Sequence, residues 1–192
     1  MKHFLSFPCS AKKSLVRQAG FTLVEMAVVA GIIGFLSTAL IIDFSRTRID
    51  VDQSASLVMA TVREAQTRAV SSTVYGGYNP CGYGVHYVSP TQLAIYIGPD
   101  ASTVDCPSIA NKNYQPGQDV LLAHQSFSDP KIQFISPFND IFFLPPDPKT
   151  YLNNDASLNQ SPIGIQIGAI GGTCPANCRT IFVYPSGKIE SQ

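Results

Sequence analysis

The residues of this chain best placed to do chemistry are Gly20, Phe21 and Glu25, which open a long apolar segment. Glu25 is the only charged residue between Phe21 and Ile42. A charged side chain in a membrane-length helix costs about 2.5–3.5 kcal/mol at mid-bilayer, so a carboxylate at this position indicates a function. We interpret that function as assembly with other helices.

The apolar segment that holds Glu25 is long enough to cross a membrane. Phe21 to Ile42 spans 22 residues, which as a helix measure about 33 Å against a bilayer core of about 30 Å. The preceding residues carry four basic side chains and no acidic one: Lys2, Lys12, Lys13 and Arg17. The positive-inside rule therefore predicts a cytoplasmic amino terminus and an extracytoplasmic domain after Asp43.

Two plainer interpretations of this segment are a secretory signal peptide and a generic single-span anchor. Ser37 and Ala39 supply a weak small-x-small cleavage pattern for the signal peptide. The acid near the start of the apolar run and the length of that run favour an assembly segment instead.

The string Gly20-Phe21-Thr22-Leu23-Val24-Glu25, with its basic leader and apolar span, resembles the amino-terminal segment of type IV prepilins and type II secretion pseudopilins. The resemblance covers about residues 1–50. It implies that a prepilin peptidase cuts after Gly20, that Phe21 becomes the N-methylated terminus, and that Glu25 is the filament-assembly carboxylate. The implied partners are other pilin or pseudopilin subunits, the inner-membrane assembly platform and membrane lipid.

Cleavage would also create a charge partner for Glu25. Until residues 1–20 are removed, the nitrogen of Phe21 is a neutral amide, whereas afterwards it is an amine that can be cationic. A carboxylate in a low-dielectric bundle stays ionised only with such a partner or with hydrogen bonds. We therefore predict that Glu25→Ala inserts into the membrane but impairs incorporation into a filament.

A helical pattern continues beyond the apolar segment. Apolar residues recur at spacings of four and three and predict one amphipathic stripe, formed by Val51, Ala55, Val58, Val62, Ala65 and Ala69. Ser71-Ser72-Thr73 and Gly76-Gly77 should end the helix. The sequence thus predicts a leader over residues 1–20, a helix over 21–72 with its membrane span at 21–42, and a β-rich domain over 73–192.

Short segments of alternating hydrophobicity follow the helix. They predict strands around Tyr83–Tyr87, Leu93–Ile97, Lys131–Ile135, Ile141–Leu144 and Ile163–Ile167, and a closing hairpin of Thr180–Tyr184 and Lys188–Glu190. Residues 98–118 and 145–162 lack a pattern and should be exposed loops. The expected fold class is α+β, with a long amino-terminal helix packed on an antiparallel β domain. This plan and the string Ile181 to Ile189 resemble GspH/FimT-type minor pseudopilins.

Four cysteines remain once the leader, with Cys9, is removed: Cys81, Cys106, Cys174 and Cys178. An even number in an extracytoplasmic domain favours disulfides. Three pairings are possible, of which we prefer Cys81–Cys106 and Cys174–Cys178. A zinc site is the alternative, but there is no Cys-x-x-Cys pair, and His86 and His124 lie in no ligand motif.

Charge and motifs argue against nucleic acid binding and catalysis. Removing the leader leaves nine basic against 13 acidic residues, so broad phosphate binding is not expected. A DNA-binding module at a filament tip stays an alternative, with Arg179 and Lys188 as the nearest basic pair. The chain has no enzyme motif, so we expect no catalytic residue, no cofactor and no metal. A calcium loop at Asp147, Asn153, Asn154 and Asp155 is a further alternative.

The function that these observations predict is a structural subunit, a minor pseudopilin or minor pilin, of a type II secretion pseudopilus or a type IV pilus. It would sit in the inner membrane with its domain facing the periplasm or the exterior.

Overall fold

The computed structural model describes residues 22–145, 149–172, 174–175 and 177–192, without the side chains of residues 39–46 and 123. The described part contains one α-helix, one short 3-10 helix and nine strands. Its contacts divide the chain into two compact units, Met1–Ile42 and Asp43–Gln192. Helix α1, Leu23–Val70, runs through the boundary between them.

The second half of α1 supplies one wall of the core of the larger unit. The six residues of the predicted stripe, from Val51 to Ala69, are all at most 5% exposed. Their spacing places them on one face of a helix, where they can pack together against a sheet. The predicted amphipathic stripe is confirmed.

A C-terminal cap ends α1 at Val70, where the sequence predicts an end near Ser72. Ser72 adopts a left-handed conformation with φ 46°. The amide of Thr73 donates to the carbonyl of Arg68 at 3.1 Å, and that of Ser72 donates to Ala69 at 3.1 Å. These two bonds form a Schellman motif, which satisfies carbonyls that the end of a helix leaves unpaired.

The strands form two antiparallel sheets. A five-stranded sheet has the order β3-β2-β1-β5-β6, and a four-stranded sheet has the order β4-β7-β8-β9. The strands are β1 Tyr83–Ser89, β2 Gln92–Ile97, β3 Val120–Ser126, β4 Ile132–Phe134, β5 Ile141–Leu144, β6 Lys149–Leu152, β7 Ile163–Ala169, β8 Cys178–Val183 and β9 Ile189–Ser191. The predicted α+β class is confirmed.

Seven of these strands overlap the segments that the sequence predicts, and two do not. β3 was not predicted, and β6 lies within residues 145–162, which the sequence assigns to an exposed loop. That loop assignment is wrong at β6, because Thr150 and Leu152 are at most 2% exposed and the strand pairs with β5 along its whole length. Prolines before these four residues and asparagines after them indicate a loop, and pairing with β5 overrides that local signal.

One core joins α1 to both sheets. Side chains of the five-stranded sheet, such as Val85 and Phe143, and of the four-stranded sheet, such as Ile165 and Ile181, are fully buried with Val58 of the helix. Each of these positions belongs to an alternating apolar set that faces inward. The larger unit is therefore organised around the stripe on α1.

Residues 98–118 cover a second, smaller cluster instead of forming a wholly exposed loop. The cluster contains Tyr96, Phe142 and Leu144, with Tyr114 and Tyr151 packed against it. The Tyr96 hydroxyl donates to the carbonyl of Lys112 at 2.6 Å, and burial raises the pKa of Tyr96 well above its usual value. The predicted exposure of this loop is thus wrong at Lys112, which is buried.

Lys112 is held by groups within this cover. Its Nζ donates to the carbonyl of Ile109 at 2.7 Å and lies 4.6 Å from the centroid of the Tyr151 ring. Burial lowers the pKa of Lys112. The stem of the side chain packs while its charge meets an acceptor and an aromatic face, which lets a lysine occupy a buried position.

Candidate processing and assembly segment

The described chain begins at the residue that caps helix α1. Thr22 Oγ1 accepts a hydrogen bond from the amide of Glu25 at 3.2 Å, and the Thr22 carbonyl accepts from the amide of Met26 at 3.1 Å. Thr22 therefore satisfies one of the free amides that every helix start leaves. Gly20 and Phe21, the predicted cleavage and methylation residues, lie outside the described residues.

Thr22 is a site residue that our sequence analysis missed. The pattern Thr22-x-x-Glu25 ahead of an apolar run is the signature of a capping box, which was available in the sequence. The cap places the start of α1 at Leu23, so Glu25 lies in the first turn of the helix.

Glu25 lies in the first turn of α1 and is exposed. An acid in the first turn is stabilised by the positive end of the helix dipole. Within the described part of the chain, the structure records no hydrogen bond or ion pair for its carboxylate. The Glu25 carboxylate is therefore open to solvent.

The helix around Glu25 exposes apolar side chains on every side. Nine large ones are between 46% and 86% exposed: Leu23, Val24, Met26, Val28, Val29, Ile32, Ile33, Phe35 and Leu36. The hydroxyls of Ser37 and Thr38 donate to carbonyls of the same helix, Ile33 and Phe35, at 2.7 and 2.8 Å. Such internal bonds let polar residues sit in an apolar environment without further partners.

Among the described residues, no helix is both long enough and apolar enough to cross a membrane. The predicted span over residues 21–42 is not shown by the structure. Phe21 and the side chains of residues 39–42 lie outside what it describes.

Residues 15–41 match the family model of the prokaryotic N-terminal methylation motif. This range includes Gly20, Phe21 and Glu25, and the match supports a type IV pilin-like or pseudopilin-like precursor. No curated protein and no solved structure matches the chain. The similarity therefore concerns the amino-terminal segment, and the GspH/FimT-type resemblance stays a prediction.

The four cysteines of the larger unit form two disulfides, with the pairing that we preferred. Cys81 is bonded to Cys106, 25 residues away, and Cys174 to Cys178, four residues away. Because these sulfurs are bonded in pairs, none is a thiolate that could bind zinc. The Cys81–Cys106 disulfide ties residues 98–118, which cover the second cluster, to Cys81, which lies two residues before the start of β1.

His86 contacts an acid and an aromatic ring. Its Nδ1 lies 2.7 Å from Asp140 Oδ1, and its ring centroid lies 4.6 Å from that of Tyr114. The other oxygen of Asp140 accepts from the amide of Tyr114 at 2.7 Å. These contacts hold the loop that carries Tyr114 over the five-stranded sheet. The other candidate histidine, His124, is exposed on β3. No group of three or more potential metal ligands occurs in the described part of the chain.

The remaining polar candidates are engaged within the chain. Arg179 Nε lies 2.6 Å from Asp52 Oδ1, and Lys188 forms an ion pair with Glu190. The two cations of the DNA-binding alternative are therefore each paired with an acid.

The oxygen-rich loop is likewise engaged where the structure describes it. Asn154 Oδ1 accepts from the amide of Lys112 at 2.9 Å, and Asn153 Oδ1 accepts from Asn113 Nδ2 at 3.2 Å. Asp155 Oδ1 accepts from the amide of Ser157 at 2.8 Å. Asp147, the fourth residue of the calcium alternative, lies outside the described residues.

Proposed function

We propose that this protein is a structural subunit of a filament, a minor pseudopilin of a type II secretion pseudopilus or a minor pilin of a type IV pilus. Prepilin peptidase cuts between Gly20 and Phe21 and methylates Phe21. The apolar segment over residues 21–42 anchors the subunit in the inner membrane and later joins the helical core of the filament. The role is structural and not enzymatic.

One observation carries this proposal. The Glu25 carboxylate has no partner among the described residues, and the helix around it exposes apolar side chains on every side. Soluble chains rarely expose contiguous apolar surface of this extent, because each Å² left in water forfeits about 25 cal/mol of burial energy. Lipid can cover the nine exposed apolar side chains, but it offers no partner for a carboxylate. Neighbouring helices with a cationic terminus satisfy both requirements.

The match to the N-terminal methylation motif supports the cationic partner. Cleavage at Gly20 turns the Phe21 nitrogen into an amine next to the capped start of α1. The amine and the Glu25 carboxylate of adjacent subunits attract each other strongly where water is excluded. Processing would then control assembly, because the uncut precursor lacks the positive charge.

The first test is the mass of the mature amino terminus. We expect a chain that begins at N-methylated Phe21. A mature chain that still begins at Met1, or one trimmed near Ala39, would contradict the proposal.

The second test compares two acids on the same helix. Glu25→Gln should reach the membrane in normal amount yet enter sheared filaments at least about tenfold less, since 1.4 kcal/mol of lost pairing is already tenfold. Glu64→Gln is the matched control, because Glu64 already pairs with Arg68 at 2.7 Å in the larger unit. Equal incorporation of the two variants, measured by immunoblot of both fractions, would remove the role of Glu25.

A further inference from the structure

A cavity of about 230 Å³ lies between helix α1 and the turn that joins β3 to β4. Its lining comprises Asp50, Gln53, Ser54 and Leu57 of the helix and Ser128 and Asp129 of the turn. The four helical residues follow the spacing i, i+3, i+4, i+7, which places them on one side of α1. The cavity lies wholly within the larger unit, Asp43–Gln192.

The turn side of the cavity is held in place by backbone hydrogen bonds. The amide of Phe127 donates to the carbonyl of Thr91 at 3.1 Å, and that of Ile132 donates to the carbonyl of Asp129 at 3.1 Å. Asp129 Oδ1 accepts from the amide of Lys131 at 2.8 Å. The wall that carries Asp129 is therefore defined before any ligand binds.

Ser54 gives the helix side an unused polar group. It is only 6% exposed, and for its hydroxyl the structure records no hydrogen-bond partner among the residues it describes. Ser56 and Thr61 on the same helix behave differently, since their hydroxyls donate at 2.9 Å to carbonyls four residues earlier. Among the described residues, Thr150 Oγ1 is the only fully buried side-chain polar atom without a partner, so the Ser54 hydroxyl keeps an accessible side. Because Ser54 lines the cavity, a ligand in the cavity can use this hydroxyl as a hydrogen-bond partner.

The chemistry of the lining selects a cation. Two carboxylates, an amide and two hydroxyls supply oxygen acceptors, and none of the lining residues is a lysine or an arginine. A single water needs only about 10–15 Å³ of such space, so this volume suits an organic group better than one small ion. Leu57 adds an apolar surface on which the stem of a long side chain can pack.

We propose that this cavity binds the side chain of a lysine or arginine presented by a partner protein. The ammonium or guanidinium group pairs with Asp50 and Asp129, and Ser54 accepts one of its N–H donors. Such charge-assisted bonds are stronger than neutral ones. The site is separate from the amino-terminal segment, so its existence does not depend on the proposed function.

The test uses the full chain in detergent micelles, with the Leu57 methyl resonances as the reporter. N-acetyl-arginine methylamide and N-acetyl-lysine methylamide are the cationic probes, and N-acetyl-citrulline methylamide is the neutral isostere of the first. We expect a saturable shift of Leu57 with at least one cationic probe and none with citrulline. Asp50→Asn combined with Asp129→Asn should weaken binding at least about tenfold, because both charge-assisted bonds are lost.

Two matched controls keep the result specific. Ser54→Ala should weaken binding, whereas Ser56→Ala should not, because the Ser56 hydroxyl is already bonded within the helix. Asp105→Asn removes an acid that does not line the cavity and should leave binding unchanged. The proposal is overturned by equal shifts with citrulline, by binding that survives the double aspartate variant, or by a Leu57 shift with calcium chloride alone and with neither cationic probe.

Discussion

The two halves of helix α1 have the same backbone conformation and opposite surroundings. Between Leu23 and Leu36 the large apolar side chains are at least 46% exposed, whereas the stripe from Val51 to Ala69 is at most 5% exposed. The second half has a stripe with polar neighbours, which matches one apolar surface of its own domain. The first half is apolar on all sides, so no single surface can cover it.

The acids of the two halves differ in the same way. Glu64 pairs with Arg68 one turn later, whereas no partner for Glu25 occurs in the described part of the chain. The larger unit therefore covers the stripe on the second half of α1 with its own residues, whereas the apolar side chains from Leu23 to Leu36 are exposed in the described structure.

The largest expected effect comes from placing a charge in each half. Val62→Asp should lower the free energy of unfolding of the larger unit by about 4 kcal/mol or more, because Val62 is fully buried and the new carboxylate has no partner. Val28→Asp should leave that free energy unchanged and reduce membrane insertion instead. Urea unfolding followed by circular dichroism measures the first effect. Similar losses in the two variants would abolish the contrast between the halves.

The disulfides should stabilise only the unit that buries the helix stripe. Replacing Cys81 and Cys106 by alanine should cost about 3.5 kcal/mol, and replacing Cys174 and Cys178 about 2 kcal/mol, because the longer loop restricts the unfolded chain more. Urea midpoints measure both losses. The mass of the amino terminus should not change in either variant, and a change would show that processing depends on the distant fold.

Gly187 lies close to the buried half of α1, so a substitution there tests how tightly that half is packed. Its φ is 80°, and an added Cβ would lie 2.8 Å from Gln66 Nε2 of α1 and 3.2 Å from Thr150 Oγ1. Gly187→Ala should cost about 2–3 kcal/mol in unfolding free energy. Gly117→Ala has a similar φ of 88° but open space around it, and should cost about 1–2 kcal/mol. If thermal unfolding shows equal costs, the close approach to the helix contributes nothing.

The smallest expected effect is an increase in the free energy of unfolding. Thr150 Oγ1 is buried and has no hydrogen-bond partner among the residues that the structure describes, so Thr150→Val should raise the unfolding free energy by about 1 kcal/mol. Thr61, which is also buried, donates to the carbonyl of Leu57, and Thr61→Val should lower it by about 0.5–1 kcal/mol. A loss of stability in both variants would show that the Thr150 hydroxyl is satisfied in solution.

The sequence predicted those elements whose pattern is local and long enough to read. The stripe on α1 and the alternating residues of β1, β2 and β7 each repeat at least three times, so their periodicity was sufficient. β3 and β6 were missed because Val120–Ser126 and Lys149–Leu152 show no clear apolar alternation, so that pairing with β2 and β5 determines them. The capping box at Thr22 was readable and overlooked.

The cavity beside Ser54 could not be predicted in the same way. Asp50 and Asp129 are 79 positions apart in the numbering, and no local pattern connects a helix residue to a turn between two strands. Only the packing of α1 against the β3–β4 turn brings the two carboxylates to one site.

Residue type and helical periodicity were enough to predict the amino-terminal segment, the position of its one acid and the buried face of α1, because these features are local. Four features appear only in the folded chain: the two-sheet arrangement, the covered second cluster, strands β3 and β6, and the acidic cavity. These features arise from contacts between residues far apart in the chain, which depend on pairing and packing that no short stretch of sequence encodes.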